Sequence, residues 1–231
     1  MLRRRLLPPE PQPLKIGVGD EFVSGLLLRP DKAAALYLFA HGAGVGMNHP
    51  SIASNALGLA ERGIATLRYQ FHYMEKGSKR PDPPRIAHAA VRAAADEARR
   101  IAPDLPLYAG GRSYGGRMTS QAQSIEPLAG VRGLIFFGFP LHPAGQPGVE
   151  RAEHLQRVHI PMLFVSGDRD ALAEIHLLQP LVASLGDGAT LHIVKDGDHG
   201  LNVRAASGRT NAHAAAEALD AVGGWIAAEL Q

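Results

Sequence analysis

Leu105-Pro106-Leu107-Tyr108-Ala109-Gly110-Gly111-Arg112-Ser113-Tyr114-Gly115-Gly116 is the stretch on which the fold turns. Leu105–Ala109 reads as a strand, and Tyr114–Ser124 has the pattern of a helix. Between them lies Gly111-Arg112-Ser113-Tyr114-Gly115, a Gly-x-Ser-x-Gly run. A sharp strand-to-helix turn lifts a serine above a sheet, and glycines two before and two after it fit where side chains would clash. The run alone is weak in a chain with 26 glycines, where Ser113 can equally be a turn serine. Its place between a strand and a helix makes it informative.

Working outward, apolar runs alternate with helical stretches. Leu14–Val18 and Phe22–Leu28 form an antiparallel pair around Gly19-Asp20. Leu36–Ala40 is short and wholly apolar, as a strand buried on both faces should be. A helix is expected from Pro50 to Arg62, closed by Gly63, then a strand at Ile64–Tyr69 and a polar, proline-rich loop over His72–Pro83. Ile86, Ala90, Val91, Ala94, Ala98 and Ile101 recur at helical spacing. Val131–Phe139, Pro161–Val165 and Thr190–Val194 complete the strands. Ala173–Leu185 and a segment carrying Leu219, Val222 and Ile226 are helical, with Trp225 adding bulk. Such alternation implies an α/β fold with a mostly parallel sheet and helices on both faces. Its ligand crevice lies at the carboxyl ends of the strands.

Composition narrows the classes. The chain has 231 residues, 45% of them hydrophobic, a net charge of +2 and no cysteine. One domain, residues 14–231, accounts for this length, preceded by a flexible tail over 1–13 with Arg3-Arg4-Arg5 and several prolines. Mixed charge gives no footprint for nucleic acid, and no apolar run is long enough to span a membrane. Without cysteine there are no disulfides, zinc-thiolate sites or cysteine nucleophile, which fits a cytoplasmic protein. The oligomeric state is not legible.

A serine hydroxyl needs a base in reach, and the base needs an orienting acid. Two aspartates, Asp168 and Asp170, follow the strand Pro161–Val165. His199 stands in Gly197-Asp198-His199-Gly200 after the last strand, with Asp198 either supporting it or solvated. For the oxyanion, the Tyr114 N–H follows the nucleophile. A second donor comes from His41-Gly42-Ala43-Gly44, with Ala43 preferred and Gly44 the alternative. Gly42–Gly46 lacks the Lys-Ser/Thr of a phosphate loop, and Met47 interrupts a dinucleotide fingerprint.

Together these residues resemble the α/β-hydrolase superfamily over nearly the whole chain. The order Ser113, Asp170, His199 is the order that fold uses, and Gly167-x-x-Asp170 resembles its usual acid placement, so Asp170 is preferred. Within the superfamily, Met47-Asn48, Gly110–Arg117, Phe139-Pro140-Leu141-His142-Pro143 and Gly197-Asp198-His199 resemble a compact group of predicted hydrolases related to dienelactone hydrolases. That group includes the hydrolase-like region of a subunit of the chromatin-associated NSL complex. Dienelactone hydrolases use a cysteine nucleophile that this chain lacks, so their substrate is not implied.

The resemblance implies a serine hydrolase that needs no cofactor or metal and acts on a small or flexible acyl substrate, an ester before a thioester or amide. A non-catalytic binding or scaffold module on the same fold is the alternative. Arg68, Tyr73 and His142 are candidates for lining the crevice, against packing roles for Arg68 and Tyr73. Arg112 and Arg117 flank the elbow; Arg112 reads as a partner of a helix carboxylate, with binding of an anionic group as the alternative, and Arg151 and His154 read as structural. Pro140–Ile160, where larger relatives insert a lid, is only about twenty residues and holds at most a helix or two. A minimal lid and an open, shallow site are expected.

Overall fold

The computed structural model describes residues 10–231. The basic cluster and most of the expected tail lie outside the described residues. Eight strands form one sheet in the order β1-β2-β4-β3-β5-β6-β7-β8. They are β1 (Gln12–Val18), β2 (Glu21–Leu28), β3 (Ala35–Ala40), β4 (Ile64–Tyr69), β5 (Leu107–Arg112), β6 (Val131–Phe137), β7 (Met162–Gly167) and β8 (Ala189–Val194). β2 pairs antiparallel with both β1 and β4, and every other pairing is parallel. β2 alone runs against the rest.

Gln12 and Pro13, expected in the tail, already pair with Leu27 and Leu26. β1 is an edge strand, where a proline can be accommodated. β5 starts later than expected and runs through the glycines to Arg112, while β6 ends at Phe137. Glycines read as a loop in sequence here lie in an extended, paired backbone.

The sheet has two dry faces. β3 is buried at all six positions. Leu36, Leu38 and Ala40 join the core under α3 (Pro84–Ile101), α4 (Tyr114–Ile125) and α5 (Ile175–Ser184), and Tyr37 and Phe39 join that under α1 (Pro50–Glu61) and α6 (Asn211–Glu229). Alternation along one strand thus feeds both layers. On α3 the buried stripe is Ala87, Ala90, Val91, Ala94, Ala95 and Ala98, whereas Ile86 at its start is exposed. Leu219, Val222 and Ile226 of α6 are buried, and Trp225 packs edge-on against Tyr108.

The expected His72–Pro83 loop begins with a short helix, α2 (His72–Glu75), whose His72 and Tyr73 are buried. In the lid position, Glu150–Arg157 is a 3-10 helix with Ala152, His154 and Leu155 buried. The His154 Nε2–Ser120 Oγ contact of 2.7 Å ties it to α4. Among the described residues no helix is long and apolar enough to cross a membrane, and no group of three or more His, Asp or Glu side chains could hold a metal ion.

Candidate active site

Ser113 occupies the single residue between β5 and α4, with φ 50° and ψ −115°. A non-glycine residue held there stores roughly 1–3 kcal/mol of backbone strain. The surroundings enforce it. The Ser113 N–H donates to the Phe137 carbonyl at 3.0 Å, and the Gly-x-Ser-x-Gly glycines press against the end of β3. A Cβ on Gly111 would lie 2.4 Å from the Ala40 oxygen, and one on Gly115 2.6 Å from the carbonyl oxygens of both Ala40 and His41. The motif is therefore the imprint of a strand end packed on the turn.

His199 reaches Ser113 from the loop after β8, its Nε2 2.9 Å from Ser113 Oγ. Its Nδ1 lies 2.8 and 3.0 Å from the Asp170 carboxylate oxygens. With a carboxylate at Nδ1, that nitrogen is the donor, which leaves Nε2 free to accept from the serine hydroxyl. Asp170, 1% exposed, also accepts from the Leu172 N–H at 2.8 Å. Asp168 makes no hydrogen bond to His199; its Oδ1 is buried without a partner among the described residues. The structure thus brings Ser113, His199 and Asp170 together and leaves Asp168 apart.

Asp198 builds the histidine loop. Its Oδ1 accepts from the N–H groups of Gly200 (2.7 Å) and Asn202 (2.8 Å) and from Asn202 Nδ2 (3.3 Å), while its own N–H donates to the Asn202 carbonyl. Gly197 and Val203 form an isolated antiparallel bridge that closes the loop.

The loop after β3 lies against the nucleophile: a Cβ on Gly42 would sit 3.8 Å from that of Ser113. His41, fully buried, fastens it. The Phe71 N–H donates to His41 Nε2 at 3.1 Å, so Nδ1 carries the proton and donates to the Gly42 carbonyl at 2.9 Å. Burial pushes this imidazole down to about 4, so it is neutral at neutral pH. Sequence reading did not single out His41; its place directly after an apolar strand was the signal. The N–H groups of Ala43 and Tyr114 have no partner among the described residues, and both residues line the cavity over Ser113. Gly44 turns into open space with φ 70° and does not line it.

Arg68, Tyr73 and His142 do not line that cavity either. Arg68, 3% exposed, donates from Nη1 to the Met47 carbonyl at 2.9 Å, bracing the loop from below. The Met47 N–H donates to Gln70 Oε1. Tyr73 packs its ring on His41 and Phe71 and directs its hydroxyl at the Gly42 carbonyl, 3.4 Å away. His142 is fully buried, hydrogen-bonded to the Glu174 carboxylate and the Pro143 carbonyl. Arg68 lies near the end of β4 and Tyr73 and His142 lie beyond strands, but each side chain turns into the protein to hold the loops.

Ser113, Tyr114 and Ala43 share a cavity of about 340 Å³ with Arg117, Arg151 and Asp82. Arg112, expected to pair with a helix carboxylate, is in no ion pair among the described residues, and neither is Arg117. Arg112 instead lines a separate space of about 240 Å³ with Asn55 and Asn202.

A mostly parallel sheet carrying a Ser–His–Asp array at its carboxyl edge, with the serine on a strained strand-to-helix turn, defines the α/β-hydrolase class. The chain belongs to the alpha/beta hydrolase domain family, whose model matches residues 33–227. Among solved structures it is similar to the dienelactone hydrolase of Anabaena variabilis, with 23% identity over 95% of this chain and 96% of that one and a TM-score of 0.71. It is also similar to a Xanthomonas campestris α/β serine hydrolase described as lacking a lid (19% identity, 96% and 98% covered, TM-score 0.70). A third is Est1E of Butyrivibrio proteoclasticus, solved with ferulic acid bound (16% identity, 94% and 99% covered, TM-score 0.74). These distant likenesses carry the fold.

Proposed function

We propose that the protein is a serine hydrolase that cleaves a small carboxylic ester through an acyl-enzyme on Ser113. The observation that carries this is the hydrogen-bonded chain Ser113 Oγ–His199 Nε2–Asp170. In the first half, Ser113 Oγ attacks the ester carbonyl carbon and its proton passes to His199 Nε2. The negative charge on the former carbonyl oxygen is met by the Tyr114 and Ala43 N–H groups. Collapse of this intermediate breaks the bond to the alcohol, which leaves with the proton from His199. In the second half, water attacks the acyl carbonyl, gives its proton to His199, and the acid departs as Ser113 regains that proton. Asp170 holds the imidazole in the required tautomer and stabilises its charged form.

The alternative, a non-catalytic module on the same fold, expects no reason for His199 to lie 2.9 Å from a strained serine. The test is labelling with a fluorophosphonate and turnover of short-chain esters. Labelling at Ser113 and turnover at least about a thousandfold above the Ser113→Ala variant are expected. A folded protein that neither labels nor turns over overturns the reading.

A further inference from the structure

The cavity over Ser113 contains two cations that the proposed chemistry does not use. Arg117 lies one helical turn after Ser113 on α4, and Arg151 is the second residue of the 3-10 helix; both line the cavity. Elsewhere arginines lie against carboxylates, Arg29 on Asp104, Arg62 on Asp220 and Arg100 on Glu97. Among the described residues neither Arg117 nor Arg151 is in an ion pair. The Arg117 Nε is buried with no hydrogen-bond partner. Arg151 spends Nη1 on the His142 carbonyl at 3.0 Å.

Burial, and after it the charge of Arg151, pushes the Arg117 guanidinium below its ordinary value. Two guanidinium groups near enough to repel in a half-enclosed space cost stability. The carboxylate lining the same cavity, Asp82, has its Oδ2 occupied by the Tyr73 N–H at 2.9 Å. Toward the protein, Arg117 is felt as a positive charge by His88 and His154. Asp82 can offset at most one of the two cations that line the cavity with it, so the lining keeps an excess of positive charge, and the open side is where a substrate enters.

We propose that Arg117 and Arg151 form an anion subsite beside Ser113, so that the preferred ester carries a carboxylate on the part seated there. This rests on the hydrolase reading above. The planar forks of arginine suit a carboxylate, and such charge-assisted bonds are stronger than neutral ones. The carboxylate belongs to the acyl half or to the alcohol half of the ester, and the experiment separates the two.

First, adipate is titrated into the wild-type protein by calorimetry. One adipate per chain is expected, with affinity falling on added salt and weakened at least about tenfold in Arg151→Gln and in Arg117→Met. Second, kcat/KM is compared within two pairs of esters. Ethyl hydrogen adipate against ethyl hexanoate places the charge on the acyl side; butyryloxyacetate against propyl butyrate places it on the alcohol side. In one pair the charged ester is expected to be preferred at least about tenfold, the ratio approaching one in Arg151→Gln and partly restored in Arg151→Lys. A ratio cancels any general loss of folded enzyme.

Absence of saturable adipate binding, no preference in either pair, or a preference unchanged in both arginine variants overturns the subsite. Fluorophosphonate labelling without adipate binding removes the subsite and leaves the hydrolase; adipate binding without labelling does the reverse.

Discussion

Ser113 combines two properties that a turn serine has no need of: positive φ and contact with an imidazole held by a buried carboxylate. Asp170 is the orienting group on this account, so Asp170→Asn should keep the fold and lower kcat on the order of ten-thousandfold, because an amide facing Nδ1 favours the wrong tautomer. Steady-state kinetics on a short-chain ester, with a thermal melt as control, checks this; a loss under tenfold would assign the role elsewhere. Gly115→Ala is a test of geometry. Its Cβ would meet two carbonyl oxygens at 2.6 Å, so the variant should melt well below the wild type, by about 2 kcal/mol or more of stability. An unchanged melting temperature would mean that the elbow and the β3 end are less tightly fixed than the structure has them.

At the scale of elements, the loops hold the site together. The loop carrying His199 is braced by three hydrogen bonds to Asp198 Oδ1. Asp198→Ala should leave the sheet intact but let the imidazole drift, and a misplacement of about 1 Å costs on the order of a hundredfold in rate. Far-UV circular dichroism alongside kcat distinguishes the outcomes: loss of both would make Asp198 a folding residue, and loss of neither would make the brace redundant. The strands and the elbow were legible in sequence because burial on both faces leaves unbroken apolar runs, as at Leu36–Ala40, and because close approach demands glycine at Gly111 and Gly115. The linings were not. Arg68, Tyr73 and His142 lie at or beyond strand ends, but chain position does not say which way a side chain turns, and all three turn inward. Arg151 read as a structural helix residue and Arg117 only as a neighbour of the elbow until their lack of carboxylate partners could be seen. Asp198 read as either a support for His199 or a solvated residue until its acceptor geometry was known.

For the whole molecule, buried neutral histidines set the acid side of stability. Burial pushes His41 and His154 each down to about 4, His154 with help from the charges of Arg157, Arg117 and His88. In the unfolded chain each sits at about 6.5. Below that value the unfolded state takes up protons that the native state refuses, so stability falls as pH drops from about 6.5 toward about 4 and levels off beneath. Each contributes a loss on the order of 2 kcal/mol between pH 7 and pH 5. His142 works the other way. Burial there is outweighed by hydrogen bonds to the Pro143 carbonyl and Glu174, which hold it above its ordinary value. Urea melts at pH 7 and pH 5 should therefore show a smaller pH-dependent loss in His154→Gln than in the wild type. An equal loss would indicate that His154 is protonated in the native state.

The catalytic expectations depend on Ser113 forming an ester bond with the acyl group. Rapid mixing of the protein with 4-nitrophenyl acetate, followed by acid quench and peptide mass analysis, tests that step directly. The account expects a burst of about one nitrophenolate per chain and an acetyl group on the Ser113 peptide, both lost in Ser113→Ala. Hydrolysis with no burst and no acetylated Ser113 under conditions that trap it, or an acetyl group found on another residue, would contradict it.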